Sequence, residues 1–303
     1  MDQYPIILRP EGGSRIIATG ATGIICQNSC LPDQVIKAPL RYDLRNCDTE
    51  TRATILHNQE HAQLCFEREK SIYRALPKND NILDFITITD TSIHLPFLRL
   101  GNLREYLELY NKKIETETRE RWVEMAVSAI SSLHSTGVIH ADISARNFLV
   151  ANDLSIKLCD FSGSSIGDQL PLVEEEDRYR TTPDSPRSQA TDIFALGCLI
   201  FEITTGIRPY NEIPDDEFER IEYLYSIGQY PCLRGNHYEA IIHKCWTSQY
   251  KDIGQLQHDL KERQQKILRQ ESRVLMAVAP AILFVAGALL ISRRGKLWSL
   301  LYE

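Results

Sequence analysis

The chain has 303 residues, 43% of them hydrophobic and 25% charged, enough for one two-lobed domain with a sizeable core or for two small ones. A formal net charge of −7 argues against nucleic acid as the main partner. The eight cysteines form no C-x-x-C pair and no His cluster completes a zinc site, so they read as reduced, mostly core side chains, and no secretory signal is expected from the Met1-Asp2-Gln3-Tyr4-Pro5 start.

From Ile6 to Leu100 the pattern is mostly strand-like. Short apolar runs occur at Ile16-Ile17, Ile24-Ile25-Cys26, Val35-Ile36-Lys37 and Ile82 to Ile88. One helix, rich in Glu, Gln, Ala, Leu and Arg, is predicted from about Asn58 to Leu76, after a polar insertion around Tyr42 to Asn58. From Leu103 onward helices dominate, with apolar residues at helical spacing over Arg121 to Ile130 and Ile193 to Ile203. A strand-rich half followed by a helix-rich half predicts an α+β protein with lobes over 1–100 and 101–268.

Val274 to Ile291 then carries no charge and includes Pro280 and Gly287. As a helix it would be about 27 Å long, close to the roughly 30 Å of bilayer hydrocarbon, and Arg293, Arg294, Lys296, Trp298 and Tyr302 in the 292–303 tail suit an interface. The expectation is a single C-terminal membrane span at 274–291, the alternative a buried helix. Lys261, Arg263, Lys266, Arg269 and Arg273 outnumber the basic residues beyond it, which places the N-terminal domain in the cytosol.

The chemistry concentrates in Val138-Ile139-His140-Ala141-Asp142-Ile143-Ser144-Ala145-Arg146-Asn147-Phe148-Leu149-Val150, followed by Lys157-Leu158-Cys159-Asp160-Phe161. Asp142 and Asn147 sit five apart on a polar loop between apolar runs, and Asp160 follows a strand-like segment. Such a loop can hold a base beside a substrate hydroxyl and oxygen donors beside Mg²⁺. These stretches resemble the catalytic loop H-R-D-x-x-x-x-N and the D-F-G motif of protein kinases.

Further resemblances follow in the family's order. Ala18-Thr19-Gly20-Ala21-Thr22-Gly23-Ile24-Ile25 is similar to the glycine-rich loop, with Ala18 at its first glycine. Val35-Ile36-Lys37 is similar to the V-A-I-K strand, and Glu69, rather than Glu67 or Glu60, falls where the partner glutamate belongs. The adenine hinge would lie at Leu95 to Asn102, with the Pro96 carbonyl and Leu98 as contacts. Thr191-Asp192-Ile193-Phe194-Ala195-Leu196-Gly197, Thr205 to Tyr210 and Lys244-Cys245-Trp246 resemble later helical-lobe motifs, Asp192 being placed to brace the catalytic loop. Thr182-Pro183-Asp184 resembles A-P-E, with Lys251 as the basic partner of Asp184.

The resemblance implies a two-lobed protein-kinase fold that uses ATP and Mg²⁺ on a protein substrate. Lys37, Glu69, Asp142 and Arg146 would be catalytic; Ala18, Gly20, Gly23, Ile25, Lys37, Pro96 and Leu98 would contact nucleotide; Asn147 and Asp160 would hold metal. Three residues depart from the pattern: Ala141 for the loop arginine, Ser162 for the D-F-G glycine, and Ala18. Ala141 cannot read a phosphate, which predicts activity without activation-segment phosphorylation. Ser162, with Gly163 after it, predicts that the backbone freedom of the motif is reduced or moves along by one residue. A pseudokinase that binds nucleotide or only docks partners is the alternative. The run Glu174-Glu175-Glu176-Asp177 reads as a solvated face, as a stand-in for a phosphate that pairs with a basic group, or as a preference for basic substrates. Ser144-Ala145-Arg146 resembles the loop of tyrosine and tyrosine-kinase-like enzymes and leaves the acceptor hydroxyl open.

Overall fold

The computed structural model describes residues 5–45, 47–182, 186–270 and 272. The chain divides into two compact units, residues 1–256 and 257–303. Of the second unit, 257–270 is helical, with an His258–Glu262 pair at 3.4 Å one turn apart. The segment 274–291 lies outside the described residues. Among those described, no helix is long and apolar enough to cross a membrane.

The first unit begins with β1 (Ile6–Ile7), β2 (Gly13–Thr19), β3 (Gly23–Asn28), β4 (Gln34–Pro39) and β5 (Tyr42–Asp43). Strands β6 (Thr87–Ile88) and β7 (Ile93–Pro96) complete a five-stranded antiparallel sheet in the order β2-β3-β4-β7-β6. In β3 alternate residues are buried, so Ile24 and Cys26 pack with Ala38, Leu40 and the helix residue Ala62. The expected strand over Ile82 to Ile88 shrinks to its last two residues. Ile82 instead makes a single parallel bridge to Leu158, and Leu83 N–H donates to the Leu158 carbonyl, so the backbone bonds go to the other lobe.

Helix α1 (Thr49–Ala75) starts nine residues before the expected Asn58 and absorbs half of the predicted insertion. Asp48 explains the early start, because its carboxylate accepts from the Glu50 and Thr51 N–H groups and supplies an N-cap. The first turns are solvated apart from Ile55, while Ala62, Cys65, Phe66, Glu69, Ile72 and Tyr73 form the buried face.

The helical half contains α2 (Leu103–Tyr110), α3 (Thr116–Ser135), β8 (Val138–Ile139), β9 (Phe148–Val150), β10 (Ile156–Leu158), β11 (Ser165–Ile166), α4 (Gln189–Thr205), α5 (Phe218–Ser226) and α6 (Glu239–Trp246). Every residue from Asp192 to Ile203 of α4 is buried. A helix apolar all round has to be wrapped by others, and α3 and α6 do so. Gly197 permits the closest approach, since a Cβ there would sit 2.5 Å from Cys245 Cβ. A kinase-like α+β arrangement with a sheet-rich half and a helical half is the result.

Candidate functional site

The site is assembled by three elements whose backbones are fixed independently. Strand β4 presents Lys37, which is 7% exposed, and the buried turn of α1 presents Glu69, which is 1% exposed. Lys37 Nζ lies 2.8 Å from Glu69 Oε1 and 2.7 Å from Oε2. The same Nζ donates to Asp160 Oδ1 at 2.8 Å. Burial would push the ammonium towards neutrality, but Asp160 and Glu69 outweigh it and hold its pKa above the ordinary lysine value. Burial raises the Glu69 pKa despite Lys37. Asp160 goes the other way. Burial alone would raise it, yet the Lys37 charge and hydrogen bonds from Lys37 and Ser162 hold it well below the usual carboxylate range. Glu67, the neighbouring candidate, turns to Lys70 at 3.0 Å instead.

The loop between β8 and β9 carries Asp142. Two left-handed residues shape this region, Ala141 at φ 62° and Asp160 at φ 65°. For alanine this conformation costs about 1–2 kcal/mol. It persists because buried Asp192, at the start of α4, accepts from the His140 N–H at 2.9 Å and the Ala141 N–H at 3.0 Å. Asp192 is oriented in turn by His134 Nε2 at 2.8 Å. The next turn brings Asn147 round so that its Nδ2 donates to both the carbonyl and the carboxylate of Asp142, at 2.7 and 2.8 Å. Burial pushes the Asp142 pKa up to about 7; Asn147 opposes the rise and the Glu176 charge adds to it.

Phe161 locks these parts together. Its ring is fully buried, edge-on to Tyr73 of α1 at 5.1 Å and to His140 of the loop at 5.7 Å. Arg68 of α1 adds a second tie, donating to the Ser164 carbonyl at 2.6 Å and the Leu170 carbonyl at 2.9 Å. Both ties join α1 to the segment after Asp160, and neither was visible in the sequence.

The remaining candidates lie around this centre. Ala18 pairs with Ile25 across the β2–β3 hairpin, and Ile25 pairs with Lys37. Gly20 N–H donates to the Gly23 carbonyl at 2.9 Å in the turn. A Cβ at Gly20 would meet nothing nearer than 3.9 Å, and at Gly23 nothing nearer than 3.4 Å, so the fold itself does not demand glycine at either position. Pro96 ends β7; the Phe97 N–H after it is spent on the Asp33 carbonyl at 2.8 Å, whereas the Leu98 N–H has no protein acceptor among the described residues.

Two expectations need correction. The acidic run is a solvated face only at Glu174 and, in part, Asp177; Glu175 and Glu176 turn inward. Glu176 accepts from Arg104 Nη1 at 2.8 Å and Arg146 Nε at 2.9 Å, Glu175 is buried against Arg187 at 2.7 Å, and Glu174 and Asp177 both pair with Arg180. Arg104 also grips Glu202 at 2.9 Å and the Tyr179 hydroxyl at 3.0 Å. Pairing with basic groups is the contact that the alternative reading supposes. Of the two outcomes expected at Ser162, the one that needs correction is freedom moved on to Gly163. Its φ is not positive, and a Cβ there would meet Val173 Cγ2 at 1.9 Å, so it is needed for close packing rather than freedom. Asp184, the expected partner of Lys251, lies outside the described residues.

A family model described as protein tyrosine and serine/threonine kinase matches residues 34–260. The chain is 30% identical over 167 residues to the serine/threonine/tyrosine-protein kinase HT1 of Arabidopsis thaliana, covering 50% of this chain and 41% of that protein. It is 28% identical over 236 residues to the tyrosine-protein kinase Drl of Drosophila melanogaster, covering 70% and 38%. With the tyrosine-protein kinase SPK-1 of Girardia tigrina it shares 30% over 147 residues, covering 45% and 30%. The matched region thus spans less than half the length of these curated relatives.

Proposed function

Because the chain belongs to the protein tyrosine and serine/threonine kinase family, we propose that it transfers the γ-phosphoryl group of ATP to a protein hydroxyl. The observation that carries this reading is the Lys37 ammonium held between Glu69 and Asp160, with an Asp142 carboxylate, oriented by Asn147, close enough to feel the Asp160 charge.

The donor set fits a hard divalent cation. Asp160 Oδ2 accepts no hydrogen bond among the described residues, and Asn147 commits its Nδ2 to Asp142, which leaves its carbonyl oxygen for a cation. No group of three His, Cys, Asp or Glu suited to a metal occurs among those residues. Asn147 and Asp160 would hold Mg²⁺, which when bound neutralises charge on the phosphate oxygens. Lys37 orients the α- and β-phosphates, and the Pro96 carbonyl and Leu98 N–H offer an acceptor and a donor to adenine. Asp142 accepts the proton of the attacking hydroxyl as its oxygen bonds to the γ-phosphorus and the bond to the β-phosphate oxygen breaks, releasing ADP. A carboxyl with a pKa about 7 is close to matched for that proton transfer.

The test is Mg²⁺-dependent transfer from ATP to a generic protein substrate, alongside Asp142→Asn and Lys37→Met. Transfer by the parent protein that both substitutions abolish supports the assignment. No transfer, with a thermal shift on adding ATP and Mg²⁺, would sink it in favour of the nucleotide-binding pseudokinase. We also propose that lobes 1–100 and 101–268 precede a membrane span at 274–291, with the kinase lobes in the cytosol. Its support is the uncharged run and its basic flank. Deleting 274–303 should release the protein from a membrane fraction, and unchanged partitioning would refute the anchor.

A further inference from the structure

A cavity of about 800 Å³ lies outside the site described above, and none of Lys37, Glu69, Asp142, Asn147 or Asp160 lines it. Its walls come from the last turn of α1 (Tyr73, Arg74), the connection 76–85, Pro96 and Leu98 of the hinge, and Lys157 of β10. Pro96 turns away from the nucleotide side. Lys37 pairs with Ile93 and Val35 with Leu95, whereas Pro96 pairs with Gln34 and so sits on the other face of the sheet.

Small-molecule sites run from about 300 to 1,000 Å³ and are apolar with a few polar groups. Leu76, Leu83, Phe85, Pro96 and Leu98 form the apolar wall here, and half-buried Phe85 leaves ring surface for stacking. Five charged residues complete the lining. Lys78 and Asp84 satisfy each other at 3.6 Å. Arg74 has no carboxylate in contact among the described residues, nor has Lys157, whose Nζ donates to the Asp80 carbonyl. Two cations therefore face the single remaining carboxylate, Asp80. A further polar group is unspent: the Tyr73 hydroxyl is buried without a hydrogen-bond partner among the described residues. Burial raises its pKa and neighbouring charges, Asp84 on the cavity rim among them, raise it further, so it stays neutral and able to donate.

We propose that this cavity binds a small aromatic anion, its ring on the apolar wall and its acid group against Arg74 and Lys157, and that occupancy changes the affinity for nucleotide. Three elements carry the coupling. Glu69 lies one turn before Tyr73 on α1. The Leu83 N–H donates to the Leu158 carbonyl and the Leu158 N–H to the Asn81 carbonyl, two residues before Asp160. Pro96 and Leu98 stand between the cavity and the adenine contacts assigned to them. The coupling, though not the binding, rests on the nucleotide reading above.

The full chain is titrated with anilinonaphthalene sulfonate, an aromatic anion that fluoresces in apolar sites, and with uncharged phenylnaphthylamine, each with and without a non-hydrolysable ATP analogue. One sulfonate should bind per chain, at least about tenfold more tightly than the uncharged probe. Arg74 is exposed, so Arg74→Glu spares the fold; it should weaken the sulfonate at least about tenfold, and Tyr73→Phe about threefold, as the loss of a charged and of a neutral hydrogen bond respectively. Saturating analogue should change the probe affinity by a fixed factor of at least about threefold, and the probe should change the analogue affinity by the same factor. Probe binding that both substitutions leave unchanged, or complete displacement of the probe by the analogue, overturns the proposal. A normal probe titration in a protein that binds no analogue overturns the nucleotide reading and the coupling, and upholds the site.

Discussion

Replacing Lys37 with Met removes the charge that neutralises Glu69 inside the fold while roughly keeping the length of the side chain. Glu69 is 1% exposed and holds the ammonium at 2.7–2.8 Å with both oxygens. At an effective dielectric near 20 that contact is worth about 6 kcal/mol of Coulomb energy, but the variant need not lose so much, because Glu69 can take up a proton instead. The cost of doing so is about 1.36 kcal/mol for each pH unit above the unfolded carboxyl value of about 4.3. That sets a ceiling of about 4 kcal/mol at pH 7.5 and about 1 kcal/mol at pH 5. The sign follows from the direction of the shift. Burial already raises the Glu69 pKa, and without Lys37 it rises further, so the stability this group contributes is complete below its unfolded value and is lost as pH climbs towards its folded one. Asp160 adds little, since its side chain is 43% exposed and Ser162 still donates to it. Urea unfolding of the parent and of Lys37→Met at pH 5 and pH 7.5 reads the difference. A stability gap that is equal at the two pH values would refute the reasoning, because it would mean that Glu69 does not exchange its lost cation for a proton.

Other outcomes follow from the same geometry. With Asp142 raised to about 7, kcat/KM should fall tenfold per pH unit on the acid side of that value, and Glu176→Gln should move the limb to lower pH because the Glu176 charge helps to raise it; a flat profile between pH 5.5 and 8.5 would contradict the base assignment. Glu176→Ala leaves the buried Arg104 and the exposed Arg146 short of a carboxylate and should lower phosphate transfer at least about tenfold, measured on protein shown by mass spectrometry to lack phosphate. Gly197→Ala forces a Cβ within 2.5 Å of Cys245 Cβ between α4 and α6 and should lower stability by about 1–3 kcal/mol without changing KM for ATP; a thermal melt checks it.

What could be read from the sequence was set by local rules. Lys37 lies on a strand with apolar neighbours, and Asp142 and Asn147 lie five apart on one loop, so spacing alone keeps them together. The same holds for α3 and α4, whose apolar residues recur at helical spacing over most of their length. The start of α1 was misjudged because Thr49, Thr51 and Thr54 are poor helix formers, and the signal that overrode them was a single capping aspartate, Asp48. Strand propensity at Ile82 to Ile88 likewise failed against two backbone bonds to a segment more than seventy residues away.

The acidic run shows most clearly where a one-dimensional reading stops. Four consecutive carboxylates normally repel one another and seek water. Here their cations arrive from separate places: Arg104 from α2, Arg146 from the catalytic loop, and Arg180 and Arg187 from farther along the same segment. Arg180 stands three residues after Asp177, within local reach, but Arg104, Arg146 and Arg187 are not placed by spacing to meet their glutamates. The geometry also gives Ala141 a physical sense. An arginine at 141 would gather a phosphorylated segment onto the loop, but Glu176 already gathers it through Arg146, five residues on. A segment held by its own carboxylates is ordered whenever pH keeps them ionised. Burial would raise the Glu176 pKa, yet Arg104 and Arg146 hold it below the ordinary value, so the clasp stays closed through the range in which Asp142 loses its proton.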